Sequence, residues 1–359
     1  MIKQVDYNSR VSNILMDSCF AAIDAMLILN TDNIAYMSGF LGSNGYLLLT
    51  KKTKYLFTDS RYIRYAKESC PEWIVKPIGR EFSFLSELLL ESKIVKLGYE
   101  SRSISHHDFL NLTNNNPNVY LSEIDGVIEK LRSVKDEIEI EYLHRACRIA
   151  DSAMTKLIPQ IIPGITEFEL SLKLEHYLRD YGSEKIPFDV IIGAGLNSAL
   201  PHHKPGDTML AQGDNVVIDM GATVKGYRSD ISRTVRIGPP DDRYEEIYGV
   251  VLEAQSFAQS NIAMNMIAAD LDDIARSVIT KHGYGEYFIH GLGHGLGLQV
   301  HEYPMIIPNS TDLLLEGSVF TLEPGIYIPG WGGIRIEDVV SLTSDGVVSL
   351  TSAEKPMYS

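Results

Sequence analysis

The chain has 359 residues, of which 45% are hydrophobic and 22% charged, the composition of a folded protein rather than a disordered one and long enough for two domains of roughly 150 residues each. A formal charge of -15 and a pI near 5.1 weigh against nucleic acid or an anionic membrane as partner, because both are held by basic surfaces. Cys19, Cys70 and Cys147 are few, odd in number and scattered, which excludes a disulfide framework and a thiolate metal cluster and fits a reducing cytoplasm.

The opening "MIKQVDYNSRVSNILMD" is polar where a signal peptide needs its apolar stretch, and no apolar run reaches the roughly 18 residues of a membrane helix. A cytoplasmic chain is therefore expected. Between residues 11 and 100, "AMLILN", "GYLLLT", "KYLFT", "WIVKPI" and "VKLGYE" read as strands, and "RYIRYAKES" and "FSFLSELLLES" as helices. This alternation predicts a smaller α/β domain over residues 1–126. In "FTDSRY", Thr58, Asp59 and Ser60 are all good helix caps.

From residue 127 the pattern changes. The stretch "EKLRSVKDEIEIEYLHRACRIADSAMTKLIPQII" keeps helical apolar spacing for about thirty positions and predicts one long helix opening a second domain, 127–359. Thr166 and Glu169 have the spacing of a capping box, and Gly182 supplies the stop for the helix between them. Strands return from Phe188, interrupted by helices at "RYEEIYGVVLEAQSFAQSNI" and "ADLDDIARSVITKHG". The second half thus reads as α+β, with helices flanking antiparallel strands and no internal sequence repeat.

Two hairpins in this half carry acidic residues. "NVVIDMGATVKGYRSDISRTV" places Asp219 opposite Asp230 if its turn is centred between Val224 and Lys225. "SVFTLEPGIYIPGWGGIRIEDVV" places Glu323 opposite Glu337 across a Gly/Pro-rich loop centred near Gly330. Carboxylates facing one another are destabilising unless a cation lies between them. Four of them beside buried apolar runs need compensation, and a metal is the economical source. Between the hairpins lies "HGLGHGLGLQVHE", three histidines and a glutamate among four glycines. His290 and His294 have helical metal-site spacing, but each helix-interior glycine costs roughly 1 kcal/mol. An extended backbone closely approached by something else is the better reading. His294 is the candidate imidazole in an oxygen-rich set suited to two hard or borderline divalent ions.

The ordered series "GAGLNSALPHH", "DMGATVKGYRSDISRT", "HGLGHGLGLQVHEYP" and "TLEPGIYIPGWGGIRIEDVV" resembles the pita-bread metallopeptidases, specifically their aminopeptidase P and prolidase branch, and "NTDNIAYMSGFLGSNGYLLLTKKTKYLFTDSRY" is similar to that family's N-terminal domain. The resemblance covers the whole chain. It implies a C-terminal pita-bread catalytic domain of creatinase/aminopeptidase type, preceded by a creatinase-type N-terminal domain. By the same resemblance Asp219, Asp230, His294, Glu323 and Glu337 are the ligands of two divalent metal ions, manganese in the first instance, with cobalt or zinc also accepted. Glu323 is implied as the base that takes a proton from the attacking water. His202 matches a histidine that steadies the peptide carbonyl and the tetrahedral intermediate, with His203 beside it as the rival position.

His290 and His301 match histidines of the substrate pocket, His301 being implied as catalytic too, and Arg335 matches an arginine near ligands and substrate, while the glycines would let the backbone pass close to metals and substrate. The implied substrates are short peptides with proline second, and the implied assembly is a homodimer in which Arg61 or a neighbour could reach a partner's site. Some prolidases carry a basic residue just after the "HExP" run, where this chain has Met305. That departure tilts the reading toward a broader Xaa-Pro aminopeptidase, with a strict Xaa-Pro dipeptidase as the alternative. A methionine aminopeptidase usually lacks the N-terminal domain. A binding protein that has lost catalysis, or a metal-free creatine-hydrolysing relative, would not need the ligands intact.

Overall fold

The structure is a computed structural model that describes residues 5–79 and 82–359; the first four residues of the polar opening stretch lie outside it. The chain forms two compact units, residues 1–132 and 133–359.

The first unit contains helices α1 (Tyr7–Met16), α2 (Ser18–Ala21), α3 (Thr31–Ser38), α4 (Ile63–Ser69), α5 (Ser83–Glu91), α6 (His106–Asn115) and α7 (Val127–Arg132). Its strands are β1 (Ala25–Ile28), β2 (Gly45–Thr50), β3 (Lys54–Thr58), β4 (Ile74–Pro77), β5 (Lys96–Tyr99) and β6 (Tyr120–Glu123). They form one mixed sheet in the order β4-β3-β2-β1-β5-β6. The central strand β1 is buried at every position, as a strand covered on both faces must be, and Leu27, Leu48, Phe57, Leu85 and Leu97 pack in the core beside it. The edge strand β6 was not anticipated, because "YLSE" is partly exposed throughout and follows an asparagine-rich stretch that reads as loop.

At the end of β5, the buried Glu100 accepts hydrogen bonds from the amides of Leu29 and Asn30 and from Asn33 Nδ2, each at 2.6 Å. Burial pushes its carboxyl up to about 7. Asp59 does not cap α4 as expected. It accepts from the amide and guanidinium of Arg61 in the turn before it, and the residue at the cap position, Tyr62, makes no side-chain bond to the helix amides.

The long helix expected to open the second domain is two. α7 belongs to the first unit, where Arg132 Nη1 donates to Asn33 Oδ1 at 2.8 Å. The second helix, α8 (Glu137–Leu157), starts afresh at Asp136, which accepts from the amides of Ile138 and Glu139 while Glu139 accepts from the Asp136 amide. This capping box fixes a start that the continuing apolar spacing concealed.

The second unit builds the same arrangement twice, although the sequence shows no repeat. In its first half α8 and α9 (Glu167–Asp180) pack on a sheet of β7 (Ile191–Ala194), β8 (Asn215–Met220) and β11 (Ile231–Arg236), with Leu157, Leu174, Ile192 and Ile218 among the contacts; β9 (Thr223–Val224) and β10 (Tyr227–Arg228) form the hairpin tip. In its second half α10 (Asp242–Ser260) and α11 (Ala268–Lys281) pack on β12 (Gly293–Gly295), β13 (Glu302–Ile306), β14 (Val319–Leu322), β17 (Asp338–Thr343) and β18 (Gly346–Ser349), ordered β13-β12-β14-β17-β18. The outer part of that hairpin is β15 (Gly325–Ile328) and β16 (Gly332–Arg335). All pairings in this unit's sheets are antiparallel. The predicted cap of α9 is present, with Thr166 and Glu169 bonding reciprocally, and Gly182 follows its end at φ 100°. Each half therefore sets one acidic hairpin in front of a helix pair.

Candidate metal centre

The first hairpin turns through Lys225 and Gly226, whose φ values of 52° and 83° are the pair a type I′ turn demands at its two central positions. Val224 pairs with Tyr227, so the turn centre lies one residue beyond the expected one. The ladder consequently sets Asp219 opposite Ser232 instead of Asp230. Asp230 sits two residues closer to the turn, a position that shares the face of Ser232 by strand alternation.

In the second hairpin, Leu322 pairs with Asp338 and Gly325 with Arg335. These pairs bracket Glu323 and Glu337 in a single register, as the loop centre at Gly330 predicts. The hairpins meet where the Glu337 amide donates to the Ser232 carbonyl at 3.0 Å and Ser232 Oγ donates to Glu337 Oε2 at 2.8 Å.

Residues 293–295 form a short strand, not a helix, and their glycines are required by neighbouring backbone. A Cβ on Gly293 would stand 2.1 Å from the Thr321 carbonyl oxygen, and one on Gly295 2.2 Å from that of Tyr303. The close approach inferred from the sequence is thus made, at these two glycines, by β13 and β14. Seated between them, His294 is buried. Its Nδ1 faces the Gly295 carbonyl at 3.1 Å, which leaves Nε2 toward the carboxylates.

Asp219, Asp230, His294, Glu323 and Glu337 all line one cavity of about 630 Å³. His294 Nε2 lies 3.4 Å from Glu323 Oε1 and 3.8 Å from Asp230 Oδ2, while Asp230, His294 and Glu337 offer ligand atoms all within 4.8 Å of one another. Three oxygens here, Asp219 Oδ1, Asp230 Oδ1 and Glu337 Oε1, are buried without any hydrogen-bond partner. Burial, then mutual repulsion among the acids, pushes Asp230 and Glu337 far above the usual carboxylate range and Glu323 up to about 8. Burial likewise drives His294 down to about 3 and His290 to about 4, so both rings are neutral near pH 7, and a neutral ring is the form that binds metal. Such a donor set fits divalent cations: lone pairs are left open, like charges are gathered, and the imidazole is uncharged.

Residues 141–344 match the model of metallopeptidase family M24, and residues 13–134 that of the creatinase/prolidase N-terminal domain. The chain belongs to metallopeptidase family M24. It is 39% identical over 353 residues to an Xaa-Pro dipeptidase of Pyrococcus horikoshii, covering 98% of this chain and 99% of that one. Two solved structures align just as fully, each over 98% of this chain and 99% of the other. An Xaa-Pro dipeptidase from Bacillus anthracis does so with a TM-score of 0.95 at 36% identity, and an X-Pro aminopeptidase from Thermotoga maritima with 0.89 at 37%. The second unit is the pita-bread catalytic domain of this M24 chain.

Further residues singled out in the sequence surround this M24 cavity. His202, His290, His301 and Arg335 all line it. The His301 ring lies 4.2 Å, centroid to centroid, from that of His294. His290 Nε2 is 3.0 Å from Tyr327 Oη. Arg335 is buried, donating from Nη2 to Asp219 Oδ2 at 2.6 Å, from Nε to Ser232 Oγ at 2.8 Å and from Nη1 to Tyr327 Oη at 3.0 Å. Of the doubled histidines, His203 is committed to the buried Glu167 at 2.8 Å, and His202 is the exposed one.

Sequence reasoning missed the groups that fix the acidic hairpins from behind. Arg233 is fully buried and donates to the carbonyls of Ser232, Glu337, Ala353 and Glu354 and to Asp338 Oδ1, which ties both hairpins to the carboxy-terminal segment. Gln255 on α10 donates to the carbonyls of Leu322 and Ile336 at 3.0 and 3.1 Å, one residue before each acid of the second hairpin. Neither had a local signal. "SRT" and "EAQSF" read as ordinary strand and helix, and their partners are mostly backbone carbonyls far along the chain.

Proposed function

We propose that this M24 chain is a metal-dependent Xaa-Pro dipeptidase that holds two divalent cations, manganese first among them, on Asp219, Asp230, His294, Glu323 and Glu337. The observation that carries the metal assignment is the set of three buried carboxylate oxygens with no partner. Lone pairs left open at that depth cost free energy unless a cation fills them. Divalent ions bound there would supply Lewis acidity toward a carbonyl oxygen and bring water to ionise near neutral pH.

The chain's own groups divide the remaining work. Glu323, ionised once cations are bound beside it, takes the proton of the attacking water and returns it to the leaving nitrogen. His202 donates to the carbonyl oxygen as charge builds there. Arg335 fixes Asp219 through its 2.6 Å bond. Neutral His290 and His301, with the apolar walls of Val300 and Ile307, enclose a proline ring whose tertiary amide offers no N–H to hold.

The dipeptidase reading rests on relatives that bear that name across nearly the whole chain, in Pyrococcus horikoshii, Pyrococcus furiosus and Bacillus anthracis. It displaces the broader aminopeptidase as the first choice, although Met305 in the cavity and the likeness to the Thermotoga maritima X-Pro aminopeptidase keep that second reading in play. The purified chain loaded with manganese should hydrolyse Ala-Pro rapidly and Ala-Pro-Ala poorly, and lose activity to a chelator. Rapid release of alanine from the tripeptide sinks the dipeptidase in favour of the aminopeptidase.

A further inference from the structure

A dipeptidase must hold the free carboxylate one residue beyond the bond it cuts, and the wall beside Met305 offers no cation for it. The cavity is lined by two fixed cations, Arg335 and Lys204. Arg335 is spent inside the protein on Asp219, Ser232 and Tyr327, with a further bond from Nη1 to the Pro201 carbonyl at 3.3 Å. Lys204 makes no hydrogen bond or ion pair among the described residues, and it is exposed to solvent at the cavity.

The segment that carries Lys204 is held on both sides. Before it, Pro201 is tied to Arg335, the His203 amide donates to the Leu200 carbonyl, and the His203 ring is bound to Glu167 Oε2. After it, Pro205 has a locked φ and the Gly206 amide donates to the same Glu167 oxygen at 3.1 Å. Glu167 in turn takes the Ala194 amide and Asn197 Nδ2. A free ammonium on an anchored backbone is the arrangement for catching a mobile anion with little ordering of the loop. Position 204 also stands two residues from His202, within about 7 Å even for extended chain. The terminal carboxylate of a dipeptide lies one residue, about 3.5 Å, from the scissile carbonyl, a span that two side chains so placed can bracket.

We infer that Lys204 grips the C-terminal carboxylate of the dipeptide substrate, doing from the His202 loop what a basic residue at position 305 would do from β13. This rests on the dipeptidase reading, with His202 on the scissile carbonyl.

The test compares the full, manganese-loaded chain with Lys204→Met and Lys204→Arg. Kinetics are measured on Ala-Pro, and calorimetric binding on L-proline and L-prolinamide, which differ only in the carboxylate. Loss of one charge-assisted bond should raise KM for Ala-Pro about tenfold in Lys204→Met with kcat within about twofold. Proline affinity should fall by a similar factor, prolinamide affinity should stay level, and Lys204→Arg should recover most of the loss. An unchanged KM and proline affinity in Lys204→Met, or equal losses for proline and prolinamide, overturn the assignment while leaving the dipeptidase intact. A wild type inert toward Ala-Pro overturns the dipeptidase reading, and Lys204's role with it.

Discussion

Two buried carboxylates, Glu100 in the first unit and Glu337 in the second, are hidden from water to nearly the same extent and solve the problem of burial in opposite ways. Glu100 is surrounded by donors, two backbone amides and the Asn33 amide. Glu337 has one oxygen bonded to Ser232 and the other to nothing, with Asp219, Asp230 and Glu323 as acidic neighbours. Where burial serves the fold, the lone pairs are filled from the chain. Where they are left open among like charges, the chain is built for something that arrives from solution.

That contrast can be broken in four ways, taken from the largest expected effect to the smallest. Glu337→Gln should reduce kcat/KM at least about 1000-fold, the several kcal/mol that a metal contributes to such a step, with manganese stoichiometry by atomic emission falling in parallel. Because it removes one of the clustered charges, the same variant should melt no lower than wild type when both are metal-free. A metal-free Glu337→Gln that unfolds readily would place Glu337 with Glu100, as a structural group.

Arg233→Met removes five donated bonds behind the hairpins. It should cost about 3–5 kcal/mol of stability in denaturant titrations and weaken manganese binding about 10- to 100-fold, the range for groups that orient metal ligands. An unaltered metal affinity would separate the ligand geometry from this scaffold.

The pH dependence of the metal-free protein comes next. Glu323 is raised from 4.5 to about 8 in the folded state, so folding takes up a proton there. Its contribution to stability is full below about pH 4.5, declines as pH rises and is lost above about 8, with Asp230 and Glu337 pulling in the same direction. The metal-free melting temperature should fall on the order of 5–10 °C between pH 5 and 8, and manganese should cancel the fall by making ionisation favourable. A melting temperature that climbs over this range would mean the acids are already compensated. The smallest effect is expected of Glu100→Gln, which turns an amide donor toward donors, at about 1–3 kcal/mol. Manganese content should not change.

The sequence made the acidic hairpins legible because strand alternation and turn composition are local, and all five ligand positions named from it line one cavity. It misplaced the Asp219 partner by two residues because the turn was centred by composition, whereas positive φ at Lys225 and Gly226 decides it. Helical spacing runs unbroken through residues 133–136, so the sequence predicts one helix where the capping box at Asp136 starts a second. The choice between His202 and His203 had no local answer, since Glu167, which claims His203, lies 36 residues earlier. Arg233 and Gln255 escaped for the same reason: their partners are mostly carbonyls brought near by folding, and carbonyls leave no trace in residue type.

The glycines at 293 and 295 limit how this enzyme can diverge. Any side chain there would collide with the carbonyls of Thr321 or Tyr303 at little more than 2 Å, so the strand bearing His294 is closed to variation whatever substrate is favoured. A library meant to retarget the pocket would waste those codons. Phe188, Ile289, Met305 and Ile307 line the same cavity, and new preferences would have to be selected there.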